Sequence, residues 1–257
     1  MNRHISGSTL RAAVAGIFVA AAAFALPAQA TPSFETFGSL PAFNPGSGIP
    51  NDAFAISTAT TGDTTITIGL SATQRFANPA LTNDGAGTFF AGTGSNFGIP
   101  SNPADQSSSS TLGATWNFNF FVGLVGGALT SNDFDIILTY DTDPAVGNGG
   151  RGTINLGAAT ALLVNPAGET EIEGSENLLF GSLAVDFLTI VNAPDVAFNP
   201  NVGGTYEFAL SIADLQGGPL ASVAIDVVVE TPEPGALALF GLGLVGYGLI
   251  RRRRAAS

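Results

Sequence analysis

The sequence has no cysteine and no lysine, and its single histidine, His4, stands near the start of a chain of 257 residues. No disulfide can staple the fold, so burial of apolar surface has to hold it together. Thiolate nucleophiles and thiolate metal sites are excluded with it. Past residue 30 there is neither imidazole nor amine, which removes the usual base of a Ser or Cys nucleophile. Positive charge is equally scarce. Between Thr31 and Thr231 stand 12 Asp and 7 Glu against Arg75 and Arg151 alone, a formal charge of −17. Such a body repels phosphates and anionic headgroups, so no nucleic-acid partner is expected.

What is plentiful is apolar and turn-forming. Hydrophobic residues make up 45% of the chain and charged ones 11%, a balance that folds rather than stays disordered. With 33 Gly and 15 Pro, the chain is cut into many turns, which favours short strands over long helices.

The strand signal is alternation. Thr64 to Ser71 places Ile66, Ile68 and Leu70 on one face, and Thr115 to Phe121 places Trp116, Phe118 and Phe120 on one face with Asn117, Asn119 and Phe121 opposite. Phe134 to Tyr140, Ala159 to Val164 and Leu178 to Leu188 are denser apolar runs, as expected of strands covered on both faces. Tyr206 to Ile212 and Ala221 to Val229 read as a hairpin around Gly217-Gly218-Pro219, with Val223, Ile225, Val227 and Val229 facing inward. The expected fold class is all-β, an antiparallel two-layer β-sandwich of jelly-roll type spanning residues 31–230. The Gly-, Ser- and Asn-rich stretch 92–110 is expected to be a flexible loop, with a sheet from each side of it.

The two ends carry different messages. Residues 1–30 have a basic start (Arg3, Arg11), an apolar run from Ala12 to Leu26, and Ala28-Gln29-Ala30, a small-x-small cleavage site before Thr31. That is a secretory signal peptide; its 15 apolar residues are short of the roughly 20 of a spanning helix. Residues 231–257 place Pro232, Glu233 and Pro234 before an apolar stretch, 235–250, and then Arg251, Arg252, Arg253 and Arg254. The prolines stiffen an extended peptide, and the stretch is expected to form a membrane helix with the arginines on the cytoplasmic side.

This tripartite tail resembles the PEP-CTERM sorting signal. The resemblance implies an exosortase-like partner that reads Pro232, Glu233 and Pro234 and removes the tail, after export by the secretion machinery. It further implies a Gram-negative-type bacterium that makes exopolysaccharide and a destination in the envelope, surface, biofilm or extracellular matrix. Gly48-Ile49-Pro50-Asn51-Asp52, Thr82-Asn83-Asp84-Gly85-Ala86-Gly87 and Phe198-Asn199-Pro200-Asn201 resemble a body that recurs in proteins with this tail.

Within the body, no catalytic residue or cofactor is expected. Asp133, Asp135, Asp141 and Asp143 form two Asp-x-Asp pairs at the ends of one strand and are the candidate Ca²⁺ ligands, although Gly152 stands where an EF-hand loop has its distal Glu. Glu169, Glu171, Glu173 and Glu176 read as a solvated acidic turn, and Glu207 as an outward strand position. Trp116, the one Trp, shares a face with Phe118 and Phe120 and reads first as core, with a sugar-stacking platform as the alternative candidate role. The function expected is non-enzymatic adhesion or an exopolysaccharide-associated structural role. The alternative is a carboxylate-dependent glycan hydrolase or a carbohydrate-binding module.

Overall fold

The computed structural model describes residues 31–40, 49–75, 80–96, 112–145, 150–156, 163–164, 170–179 and 190–230. Fifteen strands lie among them. The first eight are β1 (Thr36–Gly38), β2 (Phe54–Thr61), β3 (Thr64–Gln74), β4 (Thr82–Asn83), β5 (Thr88–Gly92), β6 (Ser95–Asn96), β7 (Gly113–Ala114) and β8 (Trp116–Val125). After a 3-10 turn at Ser131–Asp133 come β9 (Phe134–Asp141), β10 (Arg151–Asn155), β11 (Leu163–Val164), β12 (Thr170–Glu176), β13 (Ile190–Asn192), β14 (Gly204–Asp214) and β15 (Pro219–Glu230). One sheet runs β1-β2-β3-β8-β12-β11, a second runs β13-β10-β9-β14-β15-β5-β4, and β6 pairs only with β7.

The core lies between the two large sheets. Ile66, Ile68, Leu70, Phe118 and Val122 from the first sheet, and Ile136, Leu138, Phe208, Leu210, Ile225 and Val227 from the second, are wholly buried. Their alternation along each strand delivers one apolar face per sheet, which is what the sequence periodicity requires. At the centre the Phe118 and Phe208 rings stack at 4.5 Å, and Trp116 meets Phe208 and Phe198 edge-on at 5.9 and 6.4 Å. Ring pairs of this kind contribute about 0.5–1.5 kcal/mol each beyond the area they bury.

The outer face of the first sheet is covered too. Phe121 joins Leu40, Phe54 and Ile56 in a small apolar cluster there. Asn119, wholly buried, accepts from the Thr73 hydroxyl at 3.3 Å and donates to Ser71 Oγ at 3.0 Å. Asn117 donates to Ser175 Oγ at 2.9 Å, and Asn177 donates to Asn117 Oδ1 at 2.9 Å. Polar side chains pointing away from the core are therefore buried or half-buried and cross-linked from β3 through β8 to β12.

The N-terminal segment ties the sheets together. Ser33 exchanges backbone hydrogen bonds with Ala224 of the second sheet at 3.1 and 2.8 Å, and three residues later β1 pairs with β2 of the first.

Several expectations need correction. The sandwich is not wholly antiparallel, because β5 runs parallel to β15 from Thr88–Asp226 to Gly92–Glu230. More than a hundred residues separate these strands, ample for the crossover a parallel pair needs. Neither sheet belongs to one side of the 92–110 stretch; both draw strands from before and after it. Gly92 to Asn96 is ordered by β5 and β6, and 97–110 lies outside the described residues. The acidic segment after Glu169 is a strand rather than a solvated turn: β12 pairs along β8 from Leu124 to Phe118 and sends Ile172 into the core, leaving Glu171 only 2% exposed. Thr64 to Ser71, Thr115 to Phe121, Phe134 to Tyr140 and the late hairpin form strands at those positions, while most of Ala159 to Val164 and Leu178 to Leu188 lies outside the described residues.

Two glycines exist to make room for rings. Gly152 faces Tyr140 across β10 and β9, Gly174 faces Phe120 across β12 and β8, and a Cβ on either glycine would overlap the ring opposite. Gly152→Ala and Gly174→Ala should each cost about 1–3 kcal/mol through overpacking. Gly38→Ala, where a Cβ meets nothing within 4 Å, should stay within about 0.5 kcal/mol. Urea denaturation of the three variants checks the ranking.

Candidate functional site

Three of the body's carboxylates and one of its two arginines lie in one row across the outer face of the second sheet. Arg151 on β10 pairs with Asp141 on β9, and Glu207 on β14 pairs with Asp226 on β15, which in turn pairs with Thr88 on β5. Asp141 and Glu207 stand one step beyond the Tyr140–Phe208 pair, which closes the row. Strand alternation puts these side chains outward because Tyr140, Gly152, Phe208, Ile225 and Val227 point inward. Arg151 reaches over to form an ion pair with Glu207.

The row's carboxylates differ in environment. Burial pushes the Asp141 carboxyl up to about 6, against the opposing influence of the Asp143 N–H, which it accepts at 3.0 Å, and of Arg151. Burial also pushes Asp226 up to about 6, helped by the negative charge of Asp84. Burial alone would raise Asp84, but hydrogen bonds from the N–H groups of Ala86 and Thr88, at 2.7 and 3.0 Å, outweigh it and hold that carboxyl below its ordinary value. The phenol of Tyr206 is raised by burial first and then by the charges of Asp141 and Asp143.

The candidate Ca²⁺ ligands do not converge. Asp133 caps the 3-10 turn, accepting from Thr130 N–H at 2.7 Å and Thr130 Oγ1 at 3.0 Å, and Asp135 is exposed on the strand beside it. Asp141 and Asp143 sit at the far end of β9, about 20 Å away at strand rise. Among the described residues no group of three or more Asp, Glu, His or Cys is placed to hold a metal. Trp116 takes the core position and not that of a platform: at 1% exposure, with rings of Phe198, Tyr206 and Phe208 against it, it offers no face to a sugar.

A cavity of about 340 Å³ opens at one end of the sandwich, lined by Gln74, Arg75, Phe90, Gly92, Thr115 and Trp116 among others. None of its lining residues is a carboxylate. Arg75 is only 4% exposed, and its guanidinium lies against Gly113 beside Asn177. Asn177 in turn donates to the carbonyls of Ala114 and Trp116 at 3.0 and 2.7 Å, fixing the entry into β8.

β15 ends beside this cavity, opposite Gly92 of its lining. β15 finishes at Glu230, which pairs with Gly92 and accepts a hydrogen bond from Thr93 N–H at 3.1 Å. Residues 230–254 match the PEP-CTERM protein-sorting motif. The chain carries an exosortase sorting signal. The motif covers Pro232, Glu233, Pro234 and the four arginines from Arg251, and it marks a protein that is exported, handled by an exosortase-type enzyme and placed at the cell envelope or surface. No curated protein matches the chain. These signal residues, the helix expected at 235–250 and the leader ending at Ala28 and Ala30 lie outside the described residues, among which no helix is long and apolar enough to cross a membrane.

Sequence reasoning placed Glu207 on the outer face but missed its partners. Asp226 could be read as outward from the Val223-Ile225-Val227 alternation, yet nothing in the sequence says which strands flank it.

The raised carboxyls fix the sign of a pH effect. Asp141 and Asp226 bind protons more readily folded than unfolded, where carboxyls titrate near about 3.9, so folding is favoured as pH drops from about 7 towards 5. Partial exposure of Asp226 screens its share, and the two together should contribute about 1–3 kcal/mol. Melting temperature should therefore rise over that interval, and Asp141→Asn with Asp226→Asn should flatten the profile.

Proposed function

We propose that the sorted body is a non-enzymatic surface or matrix protein that associates with the exopolysaccharide of a Gram-negative-type cell. The carrying observation is the outer face of the second sheet, where Thr139, Thr153, Thr205, Ser211 and Ser222 present hydroxyls around a row of carboxylates. Of these, Ser211 and Ser222 are exposed and the threonines half-buried, and such a face of hydroxyls and acids suits dispersed hydrogen bonding to a hydrated glycan. Its cations are withdrawn: Arg75 is buried and Arg151 is tied to Glu207. Export and sorting by an exosortase-type enzyme supply the setting.

One observation favours glycan hydrolysis as a second reading. Glu207, ion-paired with Arg151, lies directly across from Asp226, whose carboxyl is pushed up to about 6 by burial. Opposed side chains on adjacent strands have Cβ atoms about 4.5–5.5 Å apart, close to the carboxyl spacing of retaining glycosidases. Against it, the pair stands on an open sheet face, and the described cavity holds no carboxylate.

Intact mass and fractionation of the protein from its own cells test the first reading. The unmodified chain should lose the residues after roughly Glu230 and collect with envelope polysaccharide, whereas the variant with Pro232, Glu233 and Pro234 replaced by Ala should keep its tail in the membrane. Tails retained in both would mean a plain membrane anchor. Release of reducing sugar from the cell's own polysaccharide, abolished by Glu207→Gln or Asp226→Asn, would favour the enzyme instead.

A further inference from the structure

The matched sorting signal and the strand β15 share a residue. Glu230 is both the last residue of β15 and the first of the matched motif. β15 is held on both sides up to that point, by Gly204 opposite Val229 and by Gly92 opposite Glu230, and Thr93 N–H bonds the Glu230 carbonyl. Pro232 follows two residues later and Pro234 four, so they lie at most about 7 and 14 Å from a fixed strand end. An enzyme that grips this peptide in extended form meets the rim of the sandwich at the same time.

That rim is built, not loose. Gly94 N–H bonds the Pro200 carbonyl at 2.8 Å, which joins the segment after β5 to the loop before β14. Val202 N–H bonds the Asn199 carbonyl at 3.1 Å, Asn201 N–H bonds Asn199 Oδ1 at 3.0 Å, and the Tyr206 hydroxyl donates to the Val202 carbonyl at 2.9 Å. Fixed in this way, Val202 holds an apolar side chain 41% exposed only two residues before Gly204, the partner of Val229.

We infer that the rim formed by Thr93, Asn201 and Val202 is a contact surface for the exosortase-type enzyme that removes the tail. The occupant is a protein and not the bilayer surface, because none of Thr93, Asn201 and Val202 is a cation that could meet anionic headgroups. The inference rests on the sorting signal and adds a second element to its recognition, one that belongs to the folded body.

Pulse-labelling in the native cells, with intact mass of the product, tests it. Val202→Asp and Val202→Arg should each slow tail removal at least fivefold while leaving the melting temperature unchanged, and Asn201→Glu, a second exposed rim position, should do the same. A flexible spacer of ten Gly and Ser residues between Glu230 and Thr231 should make the rate indifferent to the residue at 202. Removal at the unmodified rate in the rim variants would overturn the inference, as would slowing that the spacer does not relieve. So would slowing by Asp with acceleration by Arg, which means apposition to an anionic membrane. Normal removal after Pro232, Glu233 and Pro234 are replaced by Ala would instead sink the sorting reading itself.

Discussion

The contact between β8 and β14 across the core is the constraint on which the rest of the body depends, because no disulfide shares the work. Phe118 stacks on Phe208, Trp116 is wedged among Phe198, Tyr206 and Phe208, and each of these rings belongs to a different sheet or loop from the one it touches. β8 sits between β3 and β12, and β14 between β9 and β15, so both are interior strands fixed by neighbours on either side. Locking them together sets the separation and alignment of every other strand. It also fixes the loop that Phe198 anchors, and with it the rim beside Glu230.

Burial at the core leaves function to the outer faces, and those faces are unlike each other. The first sheet spends its outer side on structure, through the Asn and Ser cross-links and the cluster around Phe121. The second sheet places Asp141, Glu207 and Asp226 in one row across its outer side, with Arg151 at the end. Burial raises the Asp141 and Asp226 carboxyls to about 6, which ties the stability of the body to the acidity of its surroundings.

Much of this was legible from residue order. The alternation at Ile66-Ile68-Leu70, at Trp116-Phe118-Phe120 and at Tyr206-Phe208-Leu210 gave strands and their inward faces, because a period of two is a direct consequence of strand geometry. The tail was legible for a different reason: its signal is read as linear peptide, so order alone carries it. Thr170 to Glu176 was misread because glutamates two apart look solvated until a neighbouring strand is known, and β12 acquires that neighbour only through pairing with β8. The acidic row was illegible on the same ground, since Asp141, Glu207 and Asp226 come from separate parts of the sequence and meet only through strand order. The parallel pairing of β5 with β15 is likewise a property of topology, and short strands such as β5 carry too few residues for their direction to be inferred.

Trp116 is the only tryptophan, so its fluorescence reports one position at the centre of the inter-sheet contact. The most direct test of the account is its emission maximum and acrylamide quenching in the exported protein, recorded folded and in urea. A packed aromatic core predicts blue-shifted emission, little quenching, and loss of both features in the main unfolding transition. Red-shifted emission with free quenching in the folded protein would put the indole in water and contradict the architecture described.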